Sequence, residues 1–323
     1  MSTVTYKEAI RLALADSLDA DDKVFLIGED IAAAGGAFKT TEGLMDRFGA
    51  DRVLDTPISE QAIIGAAIGA SIKGLRPVVE IMFADFAGVC FDQIANQLAK
   101  YRYMTGGQVT LPVTVRLLNG AGGGFGSQHS QSVENWFMNV PGLKIAMPAT
   151  PADAYDLLRA AILDEDPVLY FEHKALLNRK GELPDDHGPS AVGSATVVRE
   201  GSDVTLVAVQ EMRARAEEAA ETLAGEGVSV ELIDPRWIAP LDIETIRASL
   251  ERTNRLVVAQ ECPAPGSWGA SIVARLVEES FDSFDAPPVL IAGDETPIPY
   301  AAGMELASIP SADRVAAVIR DLA

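Results

Sequence analysis

The sequence contains few cysteines and few basic residues, and each of these two shortages excludes a class of protein. Its two cysteines, Cys90 and Cys262, lie far apart and cannot form a disulfide framework or a zinc ligand set. Its 26 basic residues against 47 acidic ones give a net charge of −21, which disfavours nonspecific binding to nucleic acid or anionic lipid. No apolar run is long enough to cross a bilayer, and no secretory signal pattern opens the sequence. We therefore expect a cytoplasmic protein with neither a nucleic-acid nor a membrane partner.

The chain of 323 residues is too long for a single hydrophobic core, and its composition is that of a globular protein. Short β-branched runs predict strands at 24–28, 53–54, 77–81, 112–118, 143–147 and 167–171. Helical patterns lie between most of them, at 41–48, 59–73, 84–104, 133–138 and 151–165. This alternation favours an α/β fold with a parallel sheet covered on both faces.

A second block of the same kind follows a segment with no apolar period. Residues 180–195 combine Pro, Gly, Asp and Ser, which is typical of a linker. Strands are then predicted at 203–209, 228–233, 255–260 and 289–292, and helices at 211–225, 242–253, 268–281 and 311–322. We therefore predict two α/β domains, residues 1–186 and a smaller one at residues 187–323.

A glycine run at 120–126 follows one predicted strand. It lacks the G-x-G-x-x-G spacing, because Phe125 stands where the third glycine should be, and no P-loop lysine follows. We interpret it as a tight turn whose backbone approaches another group, in preference to a phosphate site. His129 lies just after the run, among small polar residues. The carboxyl end of a parallel strand is where open α/β sheets bind ligands, so His129 is a candidate functional residue.

Glu60 is the second candidate. Ser59 is placed to cap the predicted helix, and Glu60 lies in the first turn, where the helix dipole favours a carboxylate. Stabilisation of the helix end is therefore one interpretation. The residues that follow are nearly all apolar, so the carboxylate needs a polar partner, and a ligand nitrogen would serve. The residues alone leave both interpretations open.

Several motifs in a fixed order identify a resemblance. They are D-T-P-I-S-E (55–60), G-A-A-I-G-A (65–70), G-L-R-P-V-V-E-I-M-F-A-D-F (74–86), F-D-Q-I-A-N-Q-L-A-K-Y-R-Y-M-T-G-G-Q (91–108), Q-H-S-Q-S (128–132), P-G-L-K (141–144), D-P-R-W-I-A-P-L-D (234–242) and D-E-T-P-I-P-Y (294–300). Together they closely resemble the beta subunit of the thiamine-diphosphate-dependent 2-oxo acid dehydrogenases, which include the pyruvate, branched-chain 2-oxo acid and acetoin systems. The resemblance runs nearly end to end.

The resemblance implies a fold, an activity and partners. The fold would be a transketolase-like pair, a pyrimidine-binding α/β domain and a smaller C-terminal α/β domain. The activity would be that of an oxidoreductase, in which the substrate is cleaved or decarboxylated and its acyl group passes to a lipoyl arm. The partners would be an alpha subunit, in an α2β2 heterotetramer, and the lipoyl acyltransferase core of the complex.

The resemblance also implies roles for single residues. Glu60 matches the glutamate that hydrogen-bonds the aminopyrimidine ring of thiamine diphosphate and favours its imino tautomer. His129 matches the histidine thought to handle protons when the acyl group passes to the lipoyl arm. The apolar positions that pack around the pyrimidine ring correspond to Ile58, Met82 and Phe86.

Two metal sites follow from the resemblance. A potassium site, built largely from backbone carbonyls in the family, corresponds to Val113, Ala161, Asp164 and Asp166. The family binds Mg²⁺ with the cofactor's diphosphate through a G-D-G stretch followed by paired asparagines. The nearest string here, at 293–295, has no asparagine after it. We therefore expect the alpha subunit to hold Mg²⁺ and the diphosphate half of the site.

The substrate and two alternative functions remain open. The strings at 83–92 and 172–174 look closest to acetoin-type chains, so acetoin is slightly favoured over pyruvate and branched-chain 2-oxo acids. A transketolase-like or deoxyxylulose-phosphate synthase-like half enzyme is the first alternative, although so acidic a chain with three histidines suits a sugar phosphate poorly. A noncatalytic scaffold subunit is the second, and the presence of both Glu60 and His129 argues against it. One departure from the family lies at 209–212, where relatives tend to carry a small glycine or serine turn.

Overall fold

The computed structural model describes residues 2–323 and divides the chain into two compact units. The first unit extends to Asn119 and resumes at Trp136–Val192, and the second comprises Gly120–Asn135 and Gly193–Ala323. The division between units therefore follows residue 192, and the segment around the glycine run belongs with the second unit. Within residues 2–323, no helix combines the length and the apolar character needed to cross a membrane.

The first unit is built on a parallel sheet. Its strands are β1 (Ser2–Thr5), β2 (Val24–Gly28), β3 (Val53–Asp55), β4 (Arg76–Ile81), β5 (Thr114–Asn119), β6 (Lys144–Ala146), β7 (Val168–His173) and β8 (Lys180–Leu183). Helices in this part of the chain are α1 (Tyr6–Ala20), α2 (Leu44–Phe48), α3 (Glu60–Ile72), α4 (Tyr101–Met104), α5 (Asn135–Met138) and α6 (Pro151–Leu163). The parallel strands of the unit follow the order β6-β7-β5-β4-β2-β3, and β1 pairs with β8 antiparallel. The α/β fold with a parallel sheet is confirmed.

Local sequence signals account for most of these elements. Every residue of β5 and of β7 is buried, as expected for strands covered on both faces. Helix α1 begins with a capping box, in which the Glu8 carboxylate accepts from the Thr5 amide at 2.7 Å and the Thr5 hydroxyl accepts from the Glu8 amide.

The single helix predicted at 84–104 is wrong. The structure has a 3₁₀-helix at Ala84–Gly88, a π-helix at Gln93–Leu98 and then α4. The Phe86 amide donates three residues back, to the Phe83 carbonyl, whereas the Ala99 amide donates five residues back. Apolar spacing does not distinguish among these hydrogen-bond patterns, so the sequence predicted one continuous helix.

The second unit has a smaller, mostly parallel sheet. The strands in this part of the chain are β9 (Thr196–Arg199), β10 (Val204–Ala208), β11 (Val230–Asp234), β12 (Trp237–Ala239), β13 (Leu256–Pro263) and β14 (Val289–Gly293), and all of them except β12 belong to this sheet. Its helices are α7 (Gln210–Gly225), α8 (Ile243–Thr253), α9 (Trp268–Glu279), α10 (Ala302–Ala307) and α11 (Ala312–Leu322). The sheet order is β14-β13-β10-β11-β9, with β9 antiparallel to β11. Helices α7 and α11 pack together over the sheet and share its apolar core.

Five of the strands and helices were not predicted, namely β1, β8, β9, β12 and α10, and one departure from the relatives can be examined in the structure. Strand β8 and helix α10 lie in segments rich in turn residues, and β9 is a short strand on the edge of the sheet, so none of the three carries a strong apolar period. Gln210, at the start of α7, has a φ of 51°, in the left-handed region that favours glycine. Glycine adopts this angle without strain, so the conformation accounts for a glycine at this place in relatives, although not for a serine.

Candidate functional site

The chain enters α3 without a side-chain cap. Ser59 has a φ of −166° and a ψ of 63°, and its hydroxyl donates to the Pro57 carbonyl at 3.1 Å instead of accepting from the first turn. An N-cap residue needs an extended backbone to aim its side chain at the helix amides. The prediction that Ser59 caps this helix is therefore wrong, and the start of α3 has no capping side chain.

Glu60 is the first residue of α3 and is 8% exposed. Among residues 2–323 its carboxylate has neither a hydrogen-bond partner nor an ion-pair partner. The next turn of the helix is apolar, with Ile63 and Ile64 buried. Because a buried carboxylate without a partner is unfavourable, this position suits a ligand that brings its own hydrogen-bond donor.

Glu60 raises the pKa of two neighbouring groups, a carboxylate and a thiol. Burial raises the pKa of Glu29, and the carboxylates of Asp30 and Glu60 raise it further. Burial raises the pKa of the Cys90 thiol to about 12, with Glu60 adding to the effect. A neutral or cationic nitrogen therefore suits this environment better than an anionic group.

Apolar side chains surround the carboxyl end of β4. Met82 directly follows this strand and Phe86 lies in the 3₁₀-helix, and both are half-buried. Phe86 packs edge-on against Phe83, with ring centroids 5.7 Å apart. Ile58 differs, because its side chain is 74% exposed. The cofactor contacts of Ile58, Met82 and Phe86 stay predictions.

Sequence reasoning missed a buried ion cluster on the same sheet. Arg116 donates to Glu172 at 2.6 Å and to Glu80 at 2.7 Å, from one strand to its two neighbours. Burial raises the pKa of Glu172, and Arg116 partly offsets this effect. The signal was a charged residue inside each apolar strand run. The cluster lines a small cavity together with Met82, so it supports the wall next to that residue.

His129 belongs to the second unit, where it is half-buried. Its backbone amide donates to the Gly126 carbonyl at 3.3 Å, and the Gly120 amide donates to the Gln131 carbonyl at 3.1 Å. His129 lines an open cavity of about 550 Å³ within this unit. Pro297, Ile298, Pro299 and Tyr300 also line this cavity. The cavity thus combines apolar and aromatic surface with one group able to transfer protons.

The two acids of the predicted potassium site, Asp164 and Asp166, pair with cations of the protein itself. Lys144 donates to both carboxylate oxygens of Asp164 at 2.7 Å, and Asp166 pairs with Arg102. The Asp164 carbonyl accepts from Arg76 at 3.2 Å. A cation here would therefore share a carbonyl ligand with a guanidinium.

The backbone carbonyls of the other two predicted ligands also accept hydrogen bonds. The Ala161 carbonyl accepts from the Asp164 amide, and the Val113 carbonyl accepts from the Val168 amide. Across residues 2–323 no group of three or more His, Cys, Asp or Glu side chains is arranged to hold a metal ion. The potassium site stays a prediction.

Comparisons with known proteins agree with this architecture. Residues 2–180 match the transketolase pyrimidine-binding domain, and residues 193–315 match the transketolase C-terminal domain. A solved structure described as a split-gene transketolase, an inactive beta4 tetramer, is 25% identical with a TM-score of 0.81. The match covers 98% of this chain and 97% of that one. The transketolase-like two-domain fold is therefore confirmed.

The curated relatives are more similar in sequence. The beta subunit of acetoin:2,6-dichlorophenolindophenol oxidoreductase from Bacillus subtilis is 44% identical over 99% of this chain and 97% of its own length. Subunit beta-2 of the mitochondrial pyruvate dehydrogenase E1 component from Oryza sativa subsp. japonica is 44% identical, over 97% of this chain and 84% of its own length. The 3-methyl-2-oxobutanoate dehydrogenase beta subunit from Mycobacterium tuberculosis is 43% identical, over 97% and 90%. The chain therefore belongs to the family of transketolase-type beta subunits of the 2-oxo acid and acetoin dehydrogenase E1 components.

Proposed function

We propose that this chain is the beta subunit of the thiamine-diphosphate-dependent component of a 2-oxo acid or acetoin dehydrogenase complex. The observation that carries the proposal is the state of the Glu60 carboxylate. Glu60 is only 8% exposed, and its carboxylate has no hydrogen-bond or ion-pair partner among residues 2–323. A scaffold subunit would have no reason to keep an unsatisfied acid in its interior.

Glu60 would hold the aminopyrimidine ring of the cofactor. Its carboxylate would accept a hydrogen bond from a ring N–H and so favour the tautomer whose other nitrogen can take up a proton. Apolar surface from Met82 and Phe86 would flank the ring and exclude water. When bound, thiamine diphosphate supplies the electron sink that allows the bond next to the substrate carbonyl to break.

His129 would handle the proton that moves when the acyl group leaves for a lipoyl arm. Imidazole suits this task, because it both accepts and donates protons near neutral pH. The cavity beside His129 offers apolar walls for an uncharged, extended acceptor.

The remaining parts of the site would come from partners. An alpha subunit would supply Mg²⁺ and the diphosphate half of the site, in an α2β2 heterotetramer, and a lipoyl acyltransferase core would receive the acyl group. We place the complex in the cytoplasm. No step of this proposal uses potassium. Acetoin is the slightly favoured substrate, which the similarity to an acetoin-oxidising relative supports, although the pyruvate and branched-chain relatives are almost equally similar.

A transketolase-like half enzyme is the second candidate, because a split-gene transketolase shares the fold. A sugar-phosphate substrate calls for basic groups near the reacting carbon. The charged neighbours that influence Glu29 beside Glu60 are acidic, and no cation pairs with Glu60 among residues 2–323. The electrostatics therefore favour a 2-oxo acid or acetoin dehydrogenase.

The test is reconstitution with an alpha subunit from the same organism, thiamine diphosphate and Mg²⁺. Reduction of an artificial electron acceptor would be followed with acetoin, pyruvate, 2-oxobutyrate and the branched-chain 2-oxo acids in parallel. We expect one clear preference, with no turnover when either chain is omitted. Bound cofactor without turnover of any of these substrates would contradict the proposal, and activity on sugar phosphates would replace it with the second candidate.

A further inference from the structure

Two carboxylates of the second unit hold the glycine run that precedes His129. The amide of Gly122 donates to the Glu305 carboxylate at 2.9 Å, and that of Gly124 donates to it at 3.0 Å. The amide of Ala121 donates to Glu261 at 2.7 Å. We call these two carboxylates, with the amides that they accept, the loop clasp. In sequence the two acids lie far beyond the loop that they hold.

The backbone of the glycine run is shaped for an anion. The φ angles are 84° at Gly120, 99° at Gly122, 67° at Gly124 and 73° at Gly126. Glycine adopts such angles without strain, and alternating positive φ turns successive amides toward one side. The anion in this concavity is the chain's own Glu305 carboxylate, which agrees with the interpretation of the run as a close approach of backbone to another group.

Glu305 and the loop supply each other's hydrogen-bond partners, because the loop amides donate to the Glu305 carboxylate. Glu305 lies on α10, is 2% exposed, and has no ion-pair partner among residues 2–323. A buried carboxylate without a cation depends on amide donors, and the loop amides are those donors. Loss of the carboxylate would therefore release the loop amides as well.

The clasp fixes both ends of the segment that carries His129. The Ser132 hydroxyl donates to Glu261 at 3.0 Å, three residues after His129, and the glycine run is held on the other side. Helix α10, which carries Glu305, follows shortly after the Pro297–Tyr300 wall of the 550 Å³ cavity. The clasp thus joins the His129 segment to the helix that follows the other lining segment of the cavity.

We propose that Glu305 and Glu261 are positioning residues, which hold His129 at the wall of this cavity and so set the rate of the step in which His129 moves a proton. The proposal rests on the function proposed for His129. It predicts a selective defect: removal of the clasp slows acyl transfer to a lipoyl acceptor but spares the earlier step that Glu60 serves.

The experiment uses the reconstituted enzyme with Glu305→Ala, Glu305→Gln and His129→Ala. Two rates are measured, the reduction of an artificial dye and the transfer of the acyl group to a lipoyl domain. Glu231→Gln is the matched control, because Glu231 is equally buried at 2% exposure in the same unit but pairs with Arg252. Hydrogen exchange of the peptide covering 119–133 reports on the loop in each variant.

For Glu305→Ala we expect about a 100-fold loss of lipoyl transfer, which is the scale of a displaced catalytic group, with dye reduction nearly unchanged. Glu305→Gln should retain part of the rate, because its amide oxygen still accepts from the loop. The double variant Glu305→Ala/His129→Ala should transfer the acyl group no more slowly than His129→Ala alone, since both changes act on one step. Exchange at 119–133 should accelerate in Glu305→Ala and not in the control.

Equal loss of both rates, a loss that multiplies with that of His129→Ala, or unchanged exchange at 119–133 would each overturn the proposal. The control guards against general destabilisation, because a matching defect in Glu231→Gln would assign the effect to stability. If the wild-type enzyme reduced no dye with any substrate, the proposed function would fail separately. The exchange measurement would then still decide whether Glu305 holds the loop.

Discussion

Two helices of the first unit begin with a buried acid, but the two acids differ in their hydrogen bonds. Helices α3 and α6 each have 13 residues and an acid in the first turn. The two acids, Glu60 and Asp153, are 8% and 9% exposed. In α6 the Asp153 carboxylate accepts from the Thr150 hydroxyl at 2.6 Å and from its amide at 3.1 Å, which closes a capping box. In α3 the acid has no such partner.

The position of each acid explains this difference. A capping box needs the acid at the third helical position, where Asp153 stands, because from there it reaches back to the N-cap residue. Glu60 is the first residue of its helix, and the Ser59 hydroxyl bonds to Pro57 instead. Burial alone therefore does not distinguish a functional acid from a structural one. What distinguishes the two acids is whether the carboxylate already has hydrogen-bond donors within the protein.

The largest expected effect tests that distinction directly. Glu60→Gln keeps the shape of the side chain but removes the acid, so activity of the reconstituted enzyme should fall about 10²- to 10⁴-fold, the usual contribution of a proton-transferring group. Its free energy of unfolding should not fall, because a neutral amide replaces an unsatisfied buried carboxylate. The measurements are the dye-reduction rate and thermal unfolding.

Asp153→Asn is the matched control for Glu60→Gln, since it changes an equally buried first-turn acid of the same unit. It should retain activity and lose some stability. The reverse result, with activity lost in Asp153→Asn and kept in Glu60→Gln, would break the comparison and would favour a noncatalytic role for the chain.

The second prediction concerns acids that a cation satisfies. Arg116→Met leaves Glu80 and Glu172 facing each other in the interior without the guanidinium, so the free energy of unfolding should drop by about 3–5 kcal/mol. Denaturant titration of the isolated chain measures the change. A drop below about 1 kcal/mol, the usual contribution of an exposed pair, would show that the cluster is hydrated and not a buried support of the sheet.

The sequence alone predicted features that depend on residues close together in the chain and missed those that depend on residues far apart. Strands such as β5 and β7 were predicted because their burial leaves an apolar run in consecutive residues. Glu60 stood out for the same local reason, as an acid before an apolar helix. The loop clasp was missed, because Glu305 bonds a segment about 180 residues earlier in the chain. The Ser59 cap failed because a serine at the right position still needs the right ψ.

The third prediction is a pH dependence of the ion cluster. Burial raises the pKa of Glu172 above its ordinary 4.5 in the folded state, so the folded protein holds this proton more tightly than the unfolded chain does. The stability that this contributes is complete below pH 4.5 and is lost as the pH rises through the folded-state pKa.

Comparison of wild type with Glu172→Gln isolates this effect. Glutamine carries no titrating proton, so the free energy of unfolding of Glu172→Gln, relative to that of wild type, should increase as the pH is raised from 4.5 through the folded-state pKa of Glu172. Urea titrations of both proteins at several pH values measure the difference. A difference that is constant with pH would mean that Glu172 has the same pKa in the folded and unfolded states, because Arg116 fully offsets the effect of burial.

The smallest effect returns to the two helix starts. Thr150→Ala removes a side chain that accepts from the Asp153 amide, so it should cost about 1 kcal/mol of stability. Ser59→Ala removes a hydroxyl whose one hydrogen bond within residues 2–323 is to the nearby Pro57 carbonyl, so its effect should stay within about 0.5 kcal/mol. Denaturation midpoints of the two variants give the comparison. Equal losses would mean that Ser59 does cap α3 in solution. The first-turn amides beside Glu60 would then be satisfied within the chain, and the contrast with α6 would rest on the Glu60 carboxylate alone.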